Sequence, residues 1–120
     1  MRTGQWRDGF PHVTLTLPGL GGPLEVEFIV DTGVEGGITL PEALIGLLEV
    51  SVQERRSIKL AGGVRQRCYS YETVVEWEEE ERVVEVLTLE GNPLLGNDLW
   101  KEQALQAKNT EDGDVLFEPL

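Results

Sequence analysis

The amino-acid sequence predicts a single mainly β domain with one or two short helices, and three features carry that reading. Apolar residues alternate with polar ones at the period of a strand: Val13, Leu15 and Leu17 with Thr14 and Thr16, then Leu24, Val26 and Phe28, and later Tyr69, Tyr71, Thr73 and Val75. Turn formers punctuate these runs at short intervals, from Pro18-Gly19-Leu20-Gly21-Gly22-Pro23 to Gly91-Asn92-Pro93. At 120 residues, the chain suffices for one compact domain, residues 1–120, and is too short for two.

Taken in order, residues 13–17 and 24–30 read as two antiparallel strands around a short loop. The second strand ends in the apolar run Phe28-Ile29-Val30, directly before Asp31-Thr32-Gly33. Gly36-Gly37 and Ile38-Thr39-Leu40 follow. Residues 41–48 predict a short helix, with Pro41 in its first turn, Glu42 beside it and Thr39 as its cap. From 57 to 77 the pattern is again extended, with Ala61-Gly62-Gly63-Val64 as a hairpin tip. Glu78-Glu79-Glu80-Glu81 reads as a charged turn and 82–89 as a strand. Leu94-Leu95-Gly96 is a small apolar block, and Asn97-Asp98 predict the cap of a second helix over 99–107. A turn at 111–114 and a short strand, Val115-Leu116-Phe117, close the chain.

Composition narrows the chemistry. A formal net charge of −12 argues against nucleic acid or an anionic membrane as partner. The local basic excess of Arg55, Arg56, Lys59, Arg65 and Arg67 reads as solvated surface balancing acidic neighbours. No apolar run approaches a membrane span and the N-terminus lacks a secretory stretch, so a cytoplasmic protein is expected. With one cysteine, Cys68, and one histidine, His12, neither a disulfide within the chain nor a zinc site is expected. His12 is expected to be exposed and idle, and Cys68 to be a passive strand residue with no base beside it. Trp6, Trp77 and Trp100 read as packing residues, while Tyr69 and Tyr71 stand nearer a possible ligand. Glu78 to Glu81 with Asp112 and Asp114 lack the ligand spacing of a calcium loop, so no metal or cofactor is expected. Carboxylates remain as the acid–base candidates.

Asp31 is the sharpest of them. It follows a buried strand and opens a turn, beside a small hydroxyl residue and a glycine that lets another backbone approach. An acid so near the core must be hydrogen-bonded or partly protonated.

The ordered set Phe28-Ile29-Val30-Asp31-Thr32-Gly33, Ala61-Gly62-Gly63-Val64 and Leu94-Leu95-Gly96 resembles the retropepsin-like (clan AA) aspartic peptidases, and Ile38-Thr39-Leu40-Pro41 is similar to the stretch that follows the motif in bacterial members. The resemblance covers roughly residues 13–105. It implies a single-lobe acid-protease barrel and, because only one Asp-Thr-Gly is present, a homodimer in which Asp31 and Asp31′ share one proton and activate water against an extended polypeptide. It further implies that Thr32 locks the two subunits, that Gly33 receives substrate backbone, and that Ala61, Gly62, Gly63 and Val64 form a flap closing on the peptide. Leu94, Leu95 and Gly96 are implied to pack behind the catalytic loop. Glu35 is the acid offered to the ion-pair network that braces viral dimers and to the substrate groove. Two departures stand out: Asn97 occupies the place of that network's Arg, and the N- and C-terminal strands that interleave in viral dimers are not expected to pair that way here. A non-catalytic module of the same fold, binding peptide or dimerising, is the rival expectation; a divalent-cation-binding β domain is a third.

Overall fold

A computed structural model describes residues 2–120, the side chains of residues 52 and 53 excepted. The chain is mainly β. Among the described residues ten strands form one sheet: β1 (Arg2–Arg7), β2 (Phe10–Gly19), β3 (Gly22–Val30), β4 (Ile38–Leu40), β5 (Ser51–Lys59), β6 (Arg65–Trp77), β7 (Glu80–Thr88), β8 (Leu94–Leu95), β9 (Gln103–Ala107) and β10 (Asp114–Pro119). Their order across the sheet is β5-β6-β7-β4-β8-β3-β2-β1-β10-β9. A single helical turn, α1 (Glu42–Ile45), lies between β4 and β5, and none of the described helices is long and apolar enough to cross a membrane.

Strand alternation produces the core. Val13, Leu15 and Leu17 of β2 and Val26 and Phe28 of β3 point inward, where they meet Val75 and Trp77 of β6, Val84 and Val86 of β7, and Phe117 of β10. The Phe117 ring packs edge-on against Trp77 at 5.0 Å and against Trp100 at 5.7 Å between centroids. Burying side chains of this size contributes about 1.5–3 kcal/mol each, so this aromatic cluster anchors the C-terminal strand to the hairpin of β6 and β7. The β6–β7 connection places Glu78 and Glu79 at φ 53° and 66°, the primed turn geometry that suits the twist of a two-residue hairpin.

Strand β6 buries opposite faces along its length. Thr73, Val75 and Trp77 enter the main core, whereas Cys68 and Ser70 are buried nearer the β5–β6 tip. There Cys68 joins Ile58 and Leu87 in a second, smaller cluster. This is why Leu87, on the face of β7 opposite Val84 and Val86, is also fully buried.

Three local expectations are corrected. The predicted helix over 99–107 does not form: residues 99–102 make turns, Glu102 takes φ 59°, and β9 pairs antiparallel with β10 from Gln103 opposite Pro119 to Ala107 opposite Val115. A helix would forfeit that ladder and draw Gln103 away from the indole N–H of Trp77, which donates to its Oε1 at 3.1 Å. Thr39 does not cap α1; it is buried in β4, and its Oγ1 accepts the Leu94 N–H at 3.1 Å. His12 is not exposed. It lies in β2 opposite Ile29, only 9% accessible, with Nδ1 2.9 Å from the Phe10 carbonyl oxygen.

Candidate active site

Strand β3 delivers Asp31 to the centre of the sheet. Its flanks are covered on both sides, β2 running antiparallel and β8 parallel, with Ile29 beside Leu94 and Val30 beside Leu95. The Asp31 N–H continues this ladder by donating to the Leu95 carbonyl at 3.0 Å. The chain then turns sharply. Asp31 Oδ1 accepts the Gly33 N–H at 2.9 Å, and its carbonyl accepts the Val34 N–H at 3.2 Å. Such a side-chain-to-backbone bond two residues on is the turn an Asp forms most readily, and it leaves the carboxylate half-buried and aimed by the backbone.

The loop from 31 to 37 is tied down from behind by the block that follows β8. Gly96 N–H donates to Gly37 O at 2.7 Å, Asn97 N–H to Val34 O at 3.2 Å, and Asp98 N–H to Gly36 O at 3.0 Å. Only glycine fits at 96, because a Cβ there would sit 2.5 Å from the Gly36 carbonyl oxygen. Leu95 is fully buried and Leu94 partly so. The side chain of Asn97 adds a fourth tie: its Nδ2 donates to the Thr32 carbonyl at 2.9 Å. Thr32 itself is exposed at the crest of the turn.

Above the loop lies the β5–β6 hairpin. Its tip, Ala61–Gly63, is a tight turn in which Gly62 and Gly63 both take positive φ, 81° and 79°. Two successive residues in that region require glycine or strain. The tip rests on the loop: a Cβ on Gly33 would lie 2.7 Å from the Ala61 Cβ. Val64 is exposed beside it. Glu35 fastens the hairpin, its Oε1 accepting the Lys59 N–H at 3.1 Å and lying 3.8 Å from Arg65. Lower down, Arg56 pairs with Glu85, which also accepts the Ser70 hydroxyl at 2.9 Å. The hydrogen bond from Arg56 to Glu85 holds the guanidinium pKa above its ordinary value.

The structure therefore brings Asp31, Thr32, Gly33, Glu35, Ala61, Leu94, Leu95 and Gly96 into one neighbourhood, though they span more than sixty residues of sequence. Sequence reasoning missed one contributor: Asn97 was noted only as standing in place of an Arg, yet it holds the Thr32 carbonyl. Glu35, offered to the flap and groove, has its partners on the hairpin. Neither contact has a local signature. Cys68 lies outside this neighbourhood, and burial, with Glu85 nearby, raises its thiol pKa, which suits a packing residue. Among the described residues no group of three or more His, Cys, Asp or Glu side chains is placed to hold a metal ion.

An open groove of about 630 Å³ lies elsewhere, between β1, β2 and β10, lined by Gln5, Arg7, His12, Glu27 and Asp114 among others. It does not include Asp31, over whose loop the hairpin tip sits. No protein-family model, no curated protein and no solved structure matches the chain.

Proposed function

We propose that this chain is one half of a homodimeric aspartic endopeptidase on a single-lobe retropepsin-like barrel, cleaving extended polypeptide with Asp31 and the Asp31 of a second copy. The observation that carries the reading is the seating of Asp31: a half-buried carboxylate, aimed by the Gly33 N–H, at the head of a rigidly tied loop beneath a glycine-rich hairpin tip. Two such carboxylates in contact cannot both ionise readily, so the pair shares one proton and titrates as a unit. The ionised member takes a proton from water, and the water oxygen bonds to the scissile carbonyl carbon. The protonated member donates to the carbonyl oxygen. As that tetrahedral species collapses, the member that took the water's proton gives it to the amide nitrogen, the C–N bond breaks and the other member takes back the oxygen's proton, so a carboxylic acid and an amine leave and the dyad again holds one proton. In this reading the hairpin lifts from Gly33 to admit peptide and closes over it, excluding bulk water.

The test replaces Asp31 with Asn and measures cleavage of a mixed peptide substrate between mildly acidic and neutral pH. The expected result is a fall in kcat of at least about a hundredfold, the scale of acid–base catalysis, with an unchanged unfolding midpoint. The wild-type rate should peak where the pair holds one proton and decline on either side. Undiminished cleavage by Asp31→Asn ends the hydrolytic reading.

A second reading is favoured by the contact of Ala61 with Gly33 and by Asn97 standing where a bracing Arg is expected: a non-catalytic module that binds peptide or dimerises. Peptide capture without turnover at any pH selects it.

A further inference from the structure

The two edges of the sheet are built differently. The β5 edge carries Glu54, Arg55, Arg56 and Lys59, and its register slips between residues 52 and 55. Charges and bulges of this kind keep a second chain from adding to an edge. The β9 edge has neither. Gln103-Ala104-Leu105-Gln106-Ala107 is free of charge and proline, and its register with β10 is unbroken.

The phase of the ladder shows which groups face outward. Lys108 N–H donates to Asp114 O at 2.9 Å and Leu120 N–H to Glu102 O at 3.1 Å. Antiparallel pairing alternates, so Ala104 and Gln106 turn their N–H and C=O toward β10, with the Glu102 carbonyl and the Lys108 N–H continuing that phase at the two ends, and Gln103, Leu105 and Ala107 turn theirs to the open side.

We propose that this edge pairs antiparallel with the same edge of a second copy, about a twofold axis through Leu105. In that register Leu105 faces its own copy and Gln103 faces Ala107 of the second copy, so the three outward pairs exchange about six N–H···O bonds. Ala104 faces Gln106. At each end Glu102, in the turn that opens β9, comes beside Lys108 of the second copy, which gives two opposite-charge pairs. Centring instead on Ala104 or Gln106 loses both. Lys108 is free to turn, because its contact with Asp114 is 3.8 Å between two largely exposed side chains. The terminal strands cannot do this work: β1 is already paired on both sides by β2 and β10, and β10 by β1 and β9. The proposal rests on the two-copy reading of Asp31 for its consequence. The edge begins six residues after Asn97, the residue that holds the Thr32 carbonyl, so a short turn joins interface and catalytic loop. A five-residue edge alone buries far less than the ~1,200 Å² typical of stable complexes, so association should be concentration-dependent.

The experiment is sedimentation equilibrium of the full chain and three variants. Glu102→Lys and Lys108→Glu each turn both end pairs into like charges, and Ala107→Pro removes an outward N–H from an exposed position. Each should weaken self-association by about tenfold or more, and a one-to-one mixture of Glu102→Lys with Lys108→Glu should restore it, since opposed charges are then complementary. The mixture controls for misfolding. A wild type that stays monomeric at every concentration, variants that associate like wild type, or a mixture no better than its components would each overturn the interface. Assembly and hydrolysis are read separately. Cleavage by a protein that does not use the β9 edge sinks only this inference, and β9-dependent dimers without cleavage sink only the peptidase reading.

Discussion

At position 97 an amide side chain joins two segments that are far apart in sequence. Nδ2 of Asn97 donates to the Thr32 carbonyl, while its main-chain N–H holds Val34, so one residue secures both sides of the Asp31 turn. Among the described residues its buried Oδ1 has no hydrogen-bond partner, so the ties it makes are both donated. Asn97→Asp is nearly isosteric but places an acceptor against a carbonyl oxygen in a partly buried site. It should cost about 1–3 kcal/mol, the scale of an unmade buried hydrogen bond, read as a lower urea midpoint at pH 7; an unchanged midpoint would show that the tie contributes nothing. The role of Asp31 as a turn-opening acid was legible, because Asp followed by a small residue and glycine is a local pattern. The role of Asn97 was not, since its partner lies sixty-five positions away. His12 was misjudged for a different reason: beside Pro11 and near the terminus, it was expected to be exposed, whereas β2 already begins at Phe10 and carries the imidazole inward.

Among the elements, most strands were legible and the last helix was not. Leu99, Lys101, Glu102, Gln103, Ala104, Leu105, Gln106 and Ala107 are strong helix formers. They nonetheless give a turn and a strand, because helix propensity differs by less than about 1 kcal/mol per residue and the competing structure offers more. Leu99 is buried, its carbonyl accepts from Arg82 at 3.0 Å, Trp100 packs on Phe117, and β10 supplies a complete ladder. The block after β8 behaves in the opposite way, with no room for change. Gly96→Ala pushes a methyl group into the Gly36 and Gly37 carbonyl oxygens, both backbone atoms. Overpacking of this sort costs about 1–3 kcal/mol, and it should loosen residues 31–37 first. Hydrogen exchange at Asp31, Val34 and Gly96 should accelerate in this variant more than exchange in β2; uniform acceleration would mean that the block stabilises the whole sheet and does not specifically brace the loop.

Over the whole molecule, a formal charge of −12 is spread on a compact body with a radius of gyration of 13.9 Å. Self-repulsion at that density opposes folding, and the ion pairs on the surface are mostly exposed and worth little. Raising salt from about 20 to about 300 mM shortens the screening length below about 10 Å, so Tm at pH 7 should rise by a few degrees. A falling Tm would show that attractive pairs such as Arg56 with Glu85 outweigh the net repulsion. The sequence by itself determined the mainly β class, the hairpins and the placement of an acid at the end of a buried strand, because a period of two and the chemistry of turn residues are written between neighbours. Tertiary structure alone decided that β9 is a strand, that Leu95 to Asp98 grip the Asp31 loop, and that Ala61 comes to rest on Gly33. These contacts run between backbone groups distant along the chain. Every residue carries the same amide, so the side chains give no advance sign of which distant partners will meet.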